Sequence, residues 1–409
     1  MISKDIARLI GADTGEEDAF FRFIEDNASV SPDTLRLRYR GASREFDINF
    51  AIDQIDCRRR TRTKLPLFNS NMKTLYPATV SAEQSSDEGI AAFHSRLVAG
   101  EERVADLTAG LGIDALALSL SCGKVTAVEI EALRSHLLAY NAVLFGRENL
   151  EAVNADCLQW LPEAGHFDTI FIDPARRGEM NSRKYRFADC APDITANLDL
   201  LLSHCHRLLV KASPLLDLSA IREELPGVTE MWVLSRKGEC KEILIEVRNE
   251  GEFSGVTAVE VDSNGNGEAF QVEASHLGNE EVRYAEELPA ERGWLYEASS
   301  SVMKLGAWGE ICRRWPSLTK AGGNSHLFFS AQRIEGFPGR ELEIEGIVDK
   351  KILKSLKGRK INVVARNYPL TPEQIRKKAG VSDGGDSFLI GTRWGRAEKP
   401  ILILAHRPN

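Results

Sequence analysis

Four acidic residues, Asp106, Glu129, Asp156 and Asp173, each stand at or just after the end of a short apolar run, where a side chain can hold or orient a polar ligand. Asp106 opens the segment Asp106-Leu107-Thr108-Ala109-Gly110-Leu111-Gly112. Its two glycines allow the backbone to turn tightly and approach a ligand closely, and the helix start beyond them presents free N–H groups. Asp106 is placed to contact an amino-acid end, and Thr108 lies beside it. Glu129, with Ile130 next to it, can accept hydrogen bonds from both hydroxyls of a ribose. Asp156 can accept from an adenine amino group, with Cys157 or Leu158 lining the adenine pocket. The full set suits S-adenosylmethionine, which carries an amino acid at one end and adenosine at the other.

Taken singly, each feature has an ordinary explanation: the glycines a turn, Asp156 a helix cap. A dinucleotide site is the sharpest rival, because Gly110-Leu111-Gly112-Ile113-Asp114-Ala115 also fits the G-x-G-x-x-G/A pattern, with Glu129 at a suitable distance. Two features count against it. Asp106 would repel a pyrophosphate four residues on, and Thr108 stands where the loop would carry its first glycine. The second departure touches the methionine-type loop as well, although a small polar Thr can serve there.

The elements that must position these residues follow from periodicity. Strands are expected at 104–107, 124–129, 150–154, 167–172 and 207–211, with helices over 113–120, 132–145 and about 194–203 between them. Alternation of this kind builds a parallel doubly wound sheet, whose ligands sit across the strand ends. Segments 230–234 and 242–247, joined by the turn-like Ser235–Glu239, suit an antiparallel hairpin at its edge. The expected fold is α/β: a Rossmann-like seven-stranded methyltransferase sheet (76–249) with a helical N-terminal domain (1–75). A small α+β domain (250–340), which the resemblance below implies is ferredoxin-like, and a basic domain (341–409) should follow. In the last of these, strands at 361–365, 388–392 and 401–404 surround a helix that starts at Thr371-Pro372-Glu373.

Phe171-Ile172-Asp173-Pro174-Ala175-Arg176-Arg177-Gly178 occupies the reacting end. Amino-group methyltransferases usually carry Asp/Asn-Pro-Pro-aromatic there, and here Ala175 and Arg176 replace the second Pro and the aromatic. Asp173 and the Pro174 carbonyl can accept hydrogen bonds from an exocyclic amine and aim its lone pair. Arg176 and Arg177 either grip a phosphate or pair with Glu179, Asp189 or Asp193. Lys211-Ala212-Ser213-Pro214 either faces the pocket or is a plain loop with a helix cap, the simpler reading. No histidine is placed as a base, and neither a zinc site nor a Ser-His-Asp order is visible.

The segment Asp106–Asp114 resembles motif I of bacterial ribosomal RNA guanine-N2 methyltransferases and of trimethylguanosine synthases. Tyr140-Asn141-Ala142 with Phe145-Gly146 is similar to their second-helix pattern. Glu83-Gln84-Ser85-Ser86-Asp87-Glu88 resembles the segment those families place over the methionine end, which implies that Gln84 and Ser85 help hold the cofactor. The fullest resemblance is to bacterial class I S-adenosylmethionine-dependent methyltransferases with a C-terminal THUMP-like domain. It rests on Asp173–Arg176, on Asn367-Tyr368-Pro369-Leu370 with Arg376-Lys377-Lys378 and Gly384-Gly385-Asp386, and on Gly293–Glu297 with Asn324–Leu327 in the ferredoxin-like piece. It spans residues 80–409 and implies a methyltransferase acting on a base in RNA, ribosomal or transfer, captured by the basic C-terminal domain. A non-catalytic RNA-binding factor, or a methyltransferase of small molecules or proteins, is the alternative.

Composition is consistent with these readings. The net charge of −8 argues against a general nucleic-acid binder, yet residues 346–409 hold 14 Lys+Arg against 5 Asp+Glu, and a local excess matters more for phosphate binding. A second basic cluster runs Arg58–Lys64. Seven scattered cysteines without a CxxC pair point to a reducing compartment rather than a disulfide framework. A cytoplasmic location, with no membrane span, signal peptide or metal, is therefore expected.

Overall fold

The computed structural model describes residues 3–42, 44–176, 186–278, 281–288 and 292–408. Seven helices open the chain: α1 Lys4–Ile10, α2 Glu17–Asp26, α3 Pro32–Arg38, α4 Ile48–Thr61, α5 Pro66–Ser70, α6 Thr79–Gln84 and α7 Glu88–Leu97. Side chains of Ser3, Ser31, Asp47 and Asp87 accept from the first-turn N–H groups of α1, α3, α4 and α7, which satisfies donors that a helix start leaves unpaired. The apolar faces of α1 to α4 meet in one core around Ile6, Phe20, Phe23, Leu35, Phe50 and Ile52.

The first strands and helices alternate: β1 Arg103–Asp106, α8 Ile113–Leu118, β2 Lys124–Glu129, α9 Ala132–Leu144, β3 Leu150–Asn154, α10 Cys157–Trp160 and β4 Phe167–Ile172. A short pair follows, β5 Ala175–Arg176 with β6 Cys190–Ala191, antiparallel. Then come α11 Leu198–Ser203, β7 Cys205–Ala212, α12 Leu218–Glu224, β8 Val228–Arg236 and β9 Glu239–Val247. The strands run in the order β8-β9-β7-β4-β1-β2-β3. The five from β3 to β7 are mutually parallel, and β9 is antiparallel to β7. Lys237 and Gly238, both at positive φ, join β8 to β9, the two-residue turn that suits a twisted hairpin. The expected helix at 194–203 begins only at Leu198. Asp193 turns the preceding residues instead, accepting from the Thr195 hydroxyl and the Ala196 N–H.

Two buried amides fix the segment entering this sheet. Gln54 of α4 exchanges hydrogen bonds with both backbone groups of Tyr76 (2.8 and 3.0 Å). Asn141 of α9 does the same with Leu75 (3.1 and 2.8 Å). The Tyr140-Asn141-Ala142 pattern thus locks residues 75 and 76 between the helical region and the sheet.

The chain divides into two compact units, the first running to Arg236 with Lys241–Phe253 and Val261–Gly267 added, the second formed by Lys237–Cys240, Ser254–Glu260 and everything from Glu268. In the second unit β10 Gly255–Glu260 pairs antiparallel with β11 Ala269–Glu273. The rest comprises β12 Trp294–Ala298, α13 Ser300–Leu305, α14 Trp308–Arg314, β13 Thr319–Lys320, β14 Leu327–Ser330, β15 Gly339–Ile347, α15 Lys350–Ser355, β16 Asn362–Arg366, α16 Pro372–Ala379, β17 Ser387–Trp394 and β18 Lys399–His406. A sheet ordered β13-β14-β12-β15-β18-β17-β16 runs through both small domains expected after residue 250. Thr371 and Gln374 cap α16 reciprocally, with Pro372 in the first turn, as the sequence indicates.

Candidate active site

The strand order turns outward in both directions between β1 and β4, and ligands of open α/β sheets bind beyond the strand ends at such a point. A cavity of about 370 Å³ lies there. Its lining includes Gln84, Ser85, Asp106, Thr108, Gly110, Gly112, Glu129, Ile130, Asp156, Cys157 and Asp173, residues drawn from five separate stretches of chain. Pro174 and Arg176 are not among the lining residues, and Arg177 lies outside the described residues. Arg176 is in β5, paired with Cys190.

The loop after β1 is shaped by its own hydrogen bonds. The Thr108 N–H donates to Asp106 Oδ1 at 3.1 Å, and the Gly110 N–H donates to Glu129 Oε2 at 2.9 Å. The other oxygen of Glu129 accepts from the Glu131 N–H at 2.8 Å. Glu129 therefore ties the glycine loop to the end of β2, and each of its oxygens keeps a lone pair for a further donor. Gly112 sits at φ 87°, and a Cβ there would come within 2.1 Å of Leu138 Cδ1. At Gly110, φ 55°, a Cβ would have no described neighbour closer than 3.9 Å. Gly112 is thus required by packing and backbone, Gly110 by backbone alone.

Asp106 is buried, 2% exposed. Burial pushes its carboxyl up to about 8, the Asp114 charge adds to this, and the Thr108 N–H and Lys211 only partly offset it. A buried carboxyl in that state is suited to receive a cation, which would ionise it. Asp156 is the N-cap of α10, with Oδ1 accepting from the N–H groups of Leu158 and Gln159 (2.9 and 3.2 Å). The helix-cap reading and the cavity-lining reading therefore hold together. Burial and the Asp156 charge raise the Cys157 thiol to about 11, so it remains protonated and apolar in character. Ile130, also in the cavity lining, is 65% exposed, an apolar edge for a flat ring. An amino group at Asp106, hydroxyls at Glu129 and a ring between Ile130 and Cys157 match the donor set that S-adenosylmethionine offers.

Beneath the cavity lies a charged cluster that sequence reasoning missed. Lys211, the last residue of the strand expected at 207–211, is the penultimate residue of β7, and its side chain is 7% exposed. Its Nζ donates to Asp173 Oδ2 (2.7 Å) and Ser86 Oγ (2.8 Å), and lies 3.4 Å from Asp114 Oδ2 and 3.8 Å from Glu242 Oε2. His94 of α7 is wholly buried between Asp114 Oδ1 (2.8 Å) and Glu242 Oε1 (2.6 Å). Burial disfavours its charge, but Glu242 and Asp114 outweigh that and raise it to about 9. The same burial opposes charge on Asp114 and Lys211. Lys211 and His94 nevertheless hold Asp114 well below the usual carboxylate range, and the carboxylates hold Lys211 well above the usual amine range. The available signal was an ionisable residue inside an apolar run, as in Leu208-Leu209-Val210-Lys211-Ala212.

The basic cluster Arg58–Lys64 also has structural partners. Arg58 donates to the carbonyls of Met72 (2.8 Å) and Thr74 (2.7 Å). Arg60 pairs with Asp56 (3.0 Å) and Glu83 (2.6 Å), and Lys64 donates to the Glu83 carbonyl (2.6 Å). Arg60 and Lys64 thus anchor α6, which carries Gln84 into the cavity wall. Thr108 completes the frame, its Oγ1 accepting from the Asp173 N–H at 2.7 Å.

Comparison with known proteins agrees with this architecture. Residues 339–407 match a family described as THUMP domain-like, and residues 294–338 match a ferredoxin-like domain. A crystal structure of a proposed methyltransferase from Porphyromonas gingivalis W83 is 28% identical, covers 100% of both chains and superposes with a TM-score of 0.84. Two curated relatives match over shorter stretches. The 23S rRNA (uracil(1939)-C(5))-methyltransferase RlmD of Chromohalobacter salexigens is 37% identical over 79 residues, 19% of this chain and 17% of that protein. An uncharacterized RNA methyltransferase of Thermotoga maritima is 33% identical over 87 residues, 21% of this chain and 20% of that protein. The chain thus spans about a fifth or less of the curated relatives it matches. Fold and site together define a protein with the class I methyltransferase fold. It carries, C-terminal to that fold, a ferredoxin-like and a THUMP-like segment.

Proposed function

We propose that this chain is an S-adenosylmethionine-dependent methyltransferase acting on a base in ribosomal or transfer RNA. The observation that carries the reading is the convergence of Asp106, Glu129, Asp156 and Asp173 on one cavity beyond the ends of β1, β2, β3 and β4. A dinucleotide would place a pyrophosphate against the buried Asp106, whereas the amino group of S-adenosylmethionine offsets its burial. When bound, S-adenosylmethionine supplies a methyl group activated on a positively charged sulfur.

Within that reading Asp106 takes the amino group, with Thr108, Gln84 and Ser85 around the same end. Glu129 accepts from the ribose hydroxyls. Asp156 accepts from the adenine amino group through the oxygen not used for capping, with Ile130 and Cys157 on either side of the ring. Asp173 and the Pro174 carbonyl accept hydrogen bonds from the acceptor amine and hold its lone pair in line with the methyl group, so positioning supplies much of the rate. Arg176 and Arg177 take a substrate phosphate. RNA as substrate is supported by the RNA methyltransferase relatives, by the THUMP-like segment and by the basic excess of residues 346–409. We also propose the domain organisation read from the sequence, with boundaries near 75, 249 and 340. Among the described residues the seven cysteines form no disulfide, in keeping with a cytoplasmic location.

Thermal-shift measurements with S-adenosylmethionine, S-adenosylhomocysteine and NAD test the cofactor. At a hundredfold excess over Kd a true ligand stabilises the fold by about 2.7 kcal/mol. Stabilisation by the first two and not by NAD is expected, and a response to NAD alone would overturn the reading.

A further inference from the structure

We infer that Lys211 is a positioning residue that couples the segment over the cofactor to the aim of Asp173. The inference rests on the proposed methyltransferase reading and assigns a role within it. Nζ has three protons to give. Asp114 and Glu242 already supply negative charge to this buried ammonium. Its shortest contact nevertheless goes to Asp173, whose side chain is 46% exposed at the cavity, and its next to Ser86.

Those two contacts join separate parts of the chain. Ser86 directly follows Gln84 and Ser85 of the cavity wall, and its hydroxyl accepts from Lys211 while donating to Asp114 Oδ2. Asp173 follows β4, and its backbone N–H is held by Thr108. Ser86 and Asp173 share the Lys211 ammonium as a common partner. Seating residues 84–86 over a ligand therefore fixes Nζ. Nζ in turn holds Asp173 Oδ2, and Oδ1 is left turned to the acceptor. Asp114, at the start of α8, completes the link to the glycine loop. His94 lies between the same two carboxylates, so Asp114 and Glu242 are shared by two basic groups and the Lys211–Asp173 contact is an addition to that set.

A double-mutant cycle tests this coupling, because residues acting through a shared partner give non-additive effects. Single-turnover methyl transfer from tritiated S-adenosylmethionine to total RNA of a strain lacking the protein would be measured. The proteins compared are the unaltered chain, Ser86→Ala, Asp173→Ala and the double variant, at saturating cofactor. Isothermal titration with S-adenosylhomocysteine reports binding separately. The expectation is a rate loss of at least about threefold for Ser86→Ala that disappears in the Asp173→Ala background. Lys211→Met should lose about as much rate as Asp173→Ala, roughly a hundredfold, and Lys211→Arg should recover part of it. Equal losses from Ser86→Ala in both backgrounds, or an unaltered rate in Lys211→Met, would overturn the proposal. If Lys211→Met does not fold, the cycle decides alone, since neither of its substitutions removes a buried charge. Absence of transfer by the unaltered chain would sink the RNA reading first, and the proposal with it.

Discussion

Asp106 offers the most direct quantitative prediction. Burial and the neighbouring Asp114 charge raise its carboxyl to about 8, so at pH 6 to 7 it is neutral in the cofactor-free protein. A cationic amino group seated against it favours the ionised form, and binding in that range must expel a proton. The ionised fraction is roughly 1% at pH 6 and 10% at pH 7, and apparent affinity scales with it, so Kd should fall about tenfold over that unit. His94, raised to about 9, stays charged throughout and adds no slope. Isothermal titration with S-adenosylhomocysteine in two buffers of different ionisation enthalpy measures both quantities, the slope and the release of close to one proton. Asp106→Asn, which cannot ionise, should abolish both. A flat Kd from pH 6 to 7 in the unaltered protein, or the same slope in the Asn variant, would refute the reasoning.

Three further outcomes follow from the geometry. Gly112→Ala forces a side chain into a left-handed conformation and onto Leu138, and should cost about 1–3 kcal/mol in urea unfolding. For His94, whose folded value lies above its ordinary 6.5, the contribution to stability is fully present below pH 6.5 and lost as pH rises through about 9. Asp106, raised to about 8, acts in the same direction, so the cofactor-free melting temperature should drop between pH 6.5 and 9.5, and the drop should shrink in His94→Gln. In the C-terminal domain, changing Lys350, Lys351, Arg376 and Lys377 to Ala should weaken RNA binding. The slope of log affinity against log salt should become shallower by about 3 if each contacts one phosphate of a single strand; an unchanged slope would place the RNA elsewhere.

Strand ends were legible in the sequence because short apolar runs stop at charged or glycine-rich turns. Three strands, 124–129, 150–154 and 167–172, coincide with the expected spans. Asp106, Glu129, Asp156 and Asp173 could be picked out because each sits at such a stop. The cluster below them could not, since its partners are distant in the chain: 148 residues separate His94 from Glu242 and 125 separate Lys211 from Ser86. Periodicity marks Lys211 and Glu242 as parts of ordinary strands and cannot pair them with Ser86 or His94. Charge counting was similarly blind to Arg58 and Arg60, whose backbone and carboxylate partners take up the cluster that looked available for phosphate. Asp156 shows that a local role does not exclude a site role, because one carboxylate oxygen caps α10 and the residue still lines the cavity.

The central claim is that this cavity transfers a methyl group from S-adenosylmethionine to RNA. Its most direct test incubates the purified chain and tritiated S-adenosylmethionine with RNA from a strain lacking the protein and, in parallel, with RNA from its parent. Label should enter the first RNA, resolve to a single methylated nucleoside on digestion, and be largely absent from the second, whose sites are already filled. No label in either RNA, with the cofactor bound and intact, would contradict the account.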